Sequence, residues 1–218
     1  MGHVHKSERT SRRSRPRSVA EIDQAWEYTQ TNDKLIWGKE SQIELLIEAD
    51  ELMKLDPEAG FNLHLQLAEA GSVWAMCVVG ARYYKGRGVS HDLSSAEYWY
   101  RRSIQSGCTR AILDLHHLLY KKGDLAGAEA VMEPGLTDDW GPSLYWVAMY
   151  RLRRSRTRHT LRVVRPLLEQ AAKQGSLSAK IILGGYMARG WLGFREVPRG
   201  LKLVLQATKE VLNAQSLH

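Results

Sequence analysis

Seven arginines stand between residues 151 and 165 with no acid among them: Arg151, Arg153, Arg154, Arg156, Arg158, Arg162 and Arg165. A guanidinium offers a planar fork of N–H donors that fits carboxylate and phosphate alike. The cluster therefore suits an anionic partner, whether an acidic protein segment or a nucleic acid; the bland alternative is a solvated face paired with acidic neighbours. A second basic run lies in residues 1–18, where Lys6, Arg9, Arg12, Arg13, Arg15 and Arg17 oppose only Glu8. These two segments carry the net charge of +7, and the rest of the chain is mildly acidic.

Other reactive residue types lead nowhere catalytic. His116 and His117 are neighbours on a helix and point about 100° apart, so they do not chelate together; one is expected to pack and the other to face solvent. His3 and His5 read as part of a polar tail. Cys77 and Cys108 are too few for a disulfide framework or a Cys-rich zinc site, and both read as small packing or partly exposed residues. The glycine-rich stretch Lys85 to Val89 has no strand before it, which favours a structural turn over a phosphate loop. There is no His-Glu-x-x-His, no Gly-x-Ser-x-Gly, no P-loop and no dinucleotide fingerprint. The expectation is a protein without catalytic residues, metal or cofactor.

The elements that must position these groups are helices. The chain of 218 residues is 44% hydrophobic and 25% charged, which excludes wholesale disorder and a fibre. No apolar run reaches the roughly 18 residues of a membrane span. Residues 1–18 have no apolar face and read as a disordered tail. They also lack the apolar core of a secretory signal, so a cytoplasmic protein with reduced thiols is expected. Ser18-x-x-Glu21 and Ser41-x-x-Glu44 read as capping boxes. The first is followed by Ile22, Ala25, Trp26 and Thr29 on one helical face. No strand pair is apparent, so the class is all-α.

Glycines recur at Gly71, Gly107, Gly141 and Gly175, with Ala75, Ala111, Tyr145 and Ala179 four residues after them. Gly71, Gly107 and Gly175 read as the turn after a helix, where a left-handed φ lets the chain double back. The unit is a helix, a loop, a second helix and a glycine turn. Such a pair cannot cover its own apolar face and must stack on its neighbours. Later units are looser, with Ser155 to His159 serving as a loop and an enlarged loop from Trp191 to Gly200. Residues 19–40 form a leading helix and linker, 41–213 the repeats, and 214–218 a short tail.

Residues 71–107 are the most complete unit. Gly71, Ala75, Gly80, Tyr83, Gly86, Gly88, Val89, Asp92, Ala96, Trp99, Tyr100 and Gly107 occur in the order and spacing of a Sel-one-like repeat, a longer-looped relative of the tetratricopeptide repeat, which this stretch resembles. Independently of that likeness, Gly80 allows two helices to approach, Gly86 and Gly88 permit positive φ, and Asp92 caps the second helix. Ala96, Trp99 and Tyr100 share one face.

The resemblance implies a right-handed solenoid of antiparallel helix pairs and a non-enzymatic scaffold or adaptor that presents a concave surface to another protein. Nucleic-acid or anionic-surface association through the two arginine segments, at 9–17 and 151–165, is the alternative. If the first helix of each pair lines the concavity, then Trp74, Val78 and Arg82, then Arg110, Asp114 and His117, then Leu144, Ala148 and Arg151 face a partner. Tyr145 is a further candidate anchor, with Trp191 beside it. No small-molecule substrate is expected.

Overall fold

The computed structural model of the chain describes residues 18–216, with side-chain surroundings to residue 214. The basic run at residues 1–17 and the last two residues of the short tail lie outside the described part. Among the described residues there are twelve α-helices and no strand. Two short helices, α1 (Val19–Thr29) and α2 (Asp33–Trp37), precede five antiparallel pairs. The pairs are α3 (Ile43–Leu55) with α4 (Pro57–Glu69), α5 (Val73–Lys85) with α6 (Leu93–Gln105), α7 (Thr109–Lys122) with α8 (Leu125–Met132), α9 (Gly141–Arg154) with α10 (Arg158–Lys173), and α11 (Leu177–Ala188) with α12 (Val197–Ser216). Each pair packs on the next, α4 on α5, α6 on α7, α8 on α9 and α10 on α11. The result is a solenoid whose core runs as successive apolar clusters between neighbouring pairs.

The 71–107 unit forms as its residues dictate. Ala75, Ala96, Trp99 and Tyr100 are buried. Tyr83 meets Phe61 edge-on, with ring centroids 5.3 Å apart. Asp92 accepts the N–H groups of Ser94 and Ser95 at 2.8 and 3.3 Å and caps α6. A Cβ at Gly80 would stand 2.8 Å from the Tyr100 ring, so glycine is what lets α5 and α6 approach. Gly71, Gly107 and Gly175 have φ of 105°, 90° and 110°. After each, the next N–H bonds back to the helix end, as Ser72 to Leu67, Cys108 to Ser103 and Ser176 to Ala171. That is the Schellman closure.

Three local expectations are corrected, and one of the recurring glycines departs from the rest. Ser41 does not cap: α3 starts from Gln42, with no side-chain cap. Gly141 is no turn glycine but the first residue of α9, reached through a 3₁₀ turn at Glu133–Leu136. Its spacing matches the others only because α8 is short. The loop of the last pair is tighter than Trp191 to Gly200, since Val197 already begins α12 and Pro198 sits in the first turn, where its missing N–H costs nothing. The apolar face of α1 is not its buried face: Asp23 and Glu27 are 5% and 2% exposed, while Ala25 and Thr29 face solvent.

Candidate functional site

That inversion has a cause. Residues 19–40 form a strap that runs along the first helices of the pairs, from α11 back to α5. At one end Asp23 accepts the N–H groups of Leu177 and Ser178 at 2.8 and 2.7 Å, capping α11. Trp26 Nε1 donates to the Gln174 carbonyl at 2.7 Å, and its indole lies where a Cβ on Gly141 would clash. Trp146 Nε1 donates to Glu27 at 2.6 Å, Tyr28 Oη to Asp114 at 2.6 Å, and Trp140 Nε1 to the Gln30 carbonyl at 2.9 Å. Asn32 Oδ1 then accepts the Thr109 N–H at 3.0 Å, and its Nδ2 donates to the Gly107 carbonyl at 2.8 Å. This supplies the cap that Cys108 does not give α7. Arg110 pairs with Asp33 at 2.9 Å, and Glu40 accepts the Trp74 N–H of α5 at 2.8 Å.

Beside the strap a channel stays open along the first helices, as two cavities that share Tyr120. The first, about 700 Å³, is floored by α5 and α7 and walled by α1. Trp74, Val78, Arg82, Arg110, Asp114 and His117 all line it. The second, about 590 Å³, lies over α9 and α11 and is lined by Trp146, Met149, Tyr150, Ile182 and Tyr186 with Arg153, Arg156 and Arg189.

The structure does not bring every candidate to this channel. Leu144 and Ala148 are buried in the core between α9 and α11, so the face of α9 that meets the channel is rotated to Met149 and Arg153. Arg151 and Tyr145 line neither cavity; Tyr145 packs against the core of the last pairs, as Trp191 does. Burial pushes its phenol up to about 12. The arginine cluster divides. Arg154 pairs with Glu129, and Arg165 with Glu169 and Glu196 at 3.0 and 2.9 Å. Arg158 and Arg162 are exposed, and Arg153 and Arg156 turn into the channel.

The sequence reading passed over Lys85, Lys121 and Arg189, with Tyr84, Tyr120, Tyr150 and Tyr186 beside them. A signal for them exists: Lys85, Lys121 and Arg189 each stand fourteen residues after a turn glycine. They therefore recur at the same place on successive helices. Lys121 Nζ lies 5.2 Å from the Tyr84 ring centroid, a cation–π contact, and Arg153 donates to Tyr120 Oη at 3.3 Å. Among the described residues, Arg82, Lys85, Lys121, Arg153, Arg156 and Arg189 have no carboxylate within ion-pair distance.

The polar groups behind the channel face one another. His116 is wholly buried, 2.8 Å from Tyr150 Oη, and burial, with His117 beside it, holds the imidazole down to about 3. His117 turns to the strap, 3.5 Å from Glu27. Burial raises the Asp114 carboxyl, against the opposing effects of Tyr28 and Arg110. Among the described residues no cluster of His, Cys, Asp and Glu is placed to hold a metal, and no helix is long and apolar enough to cross a membrane.

The architecture has relatives among solved structures. A protective antigen present in uropathogenic Escherichia coli strains, displaying an SLR fold, superposes with a TM-score of 0.62 at 21% identity, over 72% of this chain and 34% of that one. The chain thus spans about a third of that protein. A Sel1 repeat protein from Oxalobacter formigenes superposes with a TM-score of 0.58 at 16% identity, over 88% of both chains. No family model and no curated protein matches the sequence. The fold is the Sel1-like repeat solenoid, as the 71–107 motif implies.

Proposed function

We propose that this chain is a non-enzymatic adaptor whose concave channel takes an acidic, aromatic-bearing segment of a partner protein. The observation that carries this is the row of Arg82, Lys85, Lys121, Arg153, Arg156 and Arg189, without an ion pair among the described residues, in a channel walled by Tyr84, Tyr120, Trp146, Tyr150 and Tyr186. Unpaired cations beside aromatic walls lose little on binding a carboxylate and gain a charge-assisted hydrogen bond. Tyr and Trp supply contact area at low entropic cost. The strap offers a precedent on the same helices: it is held there by Asp23, Glu27, Asp33 and Glu40 together with Trp26 and Tyr28.

The test is a fluorescence-anisotropy titration of the full chain into a labelled synthetic peptide of alternating Glu and Tyr. A Lys/Tyr peptide and a single-stranded oligonucleotide serve as controls. Saturable binding of the acidic peptide, weakened at least tenfold by Arg153→Glu with Arg156→Glu, is expected. Equal affinity for the reversed variant, or tighter binding of the oligonucleotide than of the peptide, would overturn the reading.

A further inference from the structure

Cys77 and Cys108 belong to different helix pairs and are 31 positions apart, yet their sulfurs lie 3.2 Å from each other. Cys77 sits in the middle of α5, and its side chain reaches the wall of the larger cavity. Cys108 is the N-cap residue of α7. Ser103 Oγ stands 3.2 Å from Cys77 Sγ and also reaches the Val73 carbonyl. A disulfide needs a sulfur separation of about 2.05 Å, so closure takes roughly 1 Å of side-chain movement.

The two sulfurs are unlike. The hydrogen bond from Cys77, helped by the Ala111 N–H at the amino end of α7, lowers the Cys108 thiol against the opposing effect of burial. The same contact with Cys108, and then burial, holds the Cys77 thiol up. Of the two, Cys108 is the sulfur favoured as thiolate, with the Cys77 proton beside it.

We propose that Cys77 and Cys108 form a dithiol modification site that closes to a disulfide between the first helices of two successive repeats when the protein meets a peroxide. The Cys108 thiolate attacks one peroxide oxygen; the O–O bond breaks, and the departing oxygen leaves as water after taking a proton. Cys108 becomes a sulfenic acid. The Cys77 sulfur then attacks the Cys108 sulfur, the S–O bond breaks, and the hydroxyl leaves as water with the Cys77 proton. Two thiols lose two electrons and two protons, and one hydrogen peroxide becomes two waters. The larger cavity, which Cys77 lines and Cys108 does not, has room for an oxidant of that size, which reaches the Cys108 sulfur past Cys77, 3.2 Å away. The bond would fix α5 to the end of α7 that Asn32 also holds.

The experiment treats the folded full chain with hydrogen peroxide, then denatures it, alkylates free thiols and weighs the intact protein. The expected product carries no alkyl group, has lost two hydrogens, and regains both thiols with dithiothreitol. Cys77→Ser should stall at a sulfenic acid on Cys108 that dimedone traps, while Cys108→Ser forms no adduct. The wild-type mass decides the matter even if a variant folds poorly. Two alkylated thiols, added oxygen in place of lost hydrogen, or a bridge between two chains would overturn the proposal.

Discussion

Asp23 caps the helix that begins at Leu177, 154 positions further along the chain, with one carboxylate oxygen on the Leu177 N–H and the other on that of Ser178. The first-turn N–H groups of a helix have no partner of their own and sit at its positive end, so a carboxylate is the natural occupant. Asp23→Ala leaves two such donors without that acceptor under the strap. A loss of about 2–3 kcal/mol is expected, read by urea denaturation, with Asp23→Asn recovering part of it. Limited proteolysis should cut residues 18–40 faster in the alanine variant.

Gly80→Ala tests the repeat framework. The new methyl would press on Tyr100, itself 2% exposed and unable to swing away. The expected cost is about 1–3 kcal/mol. Gly80→Ala combined with Tyr100→Leu should cost less than the two changes summed, because they relieve one clash.

Stability should fall on mild acidification. His116 is held from its ordinary 6.5 down to about 3, and burial lowers His64 as well. Above pH 6.5 both states carry neutral imidazoles, so these histidines add no pH dependence there. As pH drops through 6.5 the unfolded chain takes up protons that the folded chain refuses. Stability is therefore lost from about 6.5 downward, until His116 protonates in place near 3. Within that window His116 alone contributes about 1.4 kcal/mol per pH unit. Denaturation midpoints between pH 7.5 and 4.5 measure the slope, and His116→Gln should reduce it.

Lys85, Lys121 and Arg189 separate binding from folding. All three are exposed and, among the described residues, unpaired. Changing them together to Gln should leave stability within about 0.5 kcal/mol, yet weaken the acidic Glu/Tyr peptide by tenfold or more at 0.15 M salt. A destabilised triple variant would mean that these cations hold the fold instead.

The legible part of this protein is the part governed by short-range rules. Gly71, Gly80, Asp92, Trp99 and Tyr100 interact within one unit, so their spacing carries their roles. Ser18 and Glu21 likewise form the expected capping box. The strap is governed by distant partners. Hydrophobic periodicity selects Ile22, Ala25, Trp26 and Thr29 as the inner face of α1, whereas the helix turns Asp23 and Glu27 inward to meet Leu177, Ser178 and Trp146. Nothing local marks those acids as buried. The fourth pair departs from the periodic reading for a related reason: Gly141 keeps the glycine interval but serves to admit the Trp26 indole, and the helix that it begins is rotated, so Leu144 and Ala148 fall in the core.

A solenoid in which each pair touches only its neighbours can open from either end, one pair at a time. The strap removes that freedom, because peeling α11 away breaks the Asp23 cap, and freeing the strap in turn loosens its hold on α7 and α5. Unfolding should therefore be a single cooperative event. Folding carries the matching delay: α1 leaves the ribosome before the helices that seat it, and must wait for Leu177 to emerge, so closing this longest loop is the natural slow step.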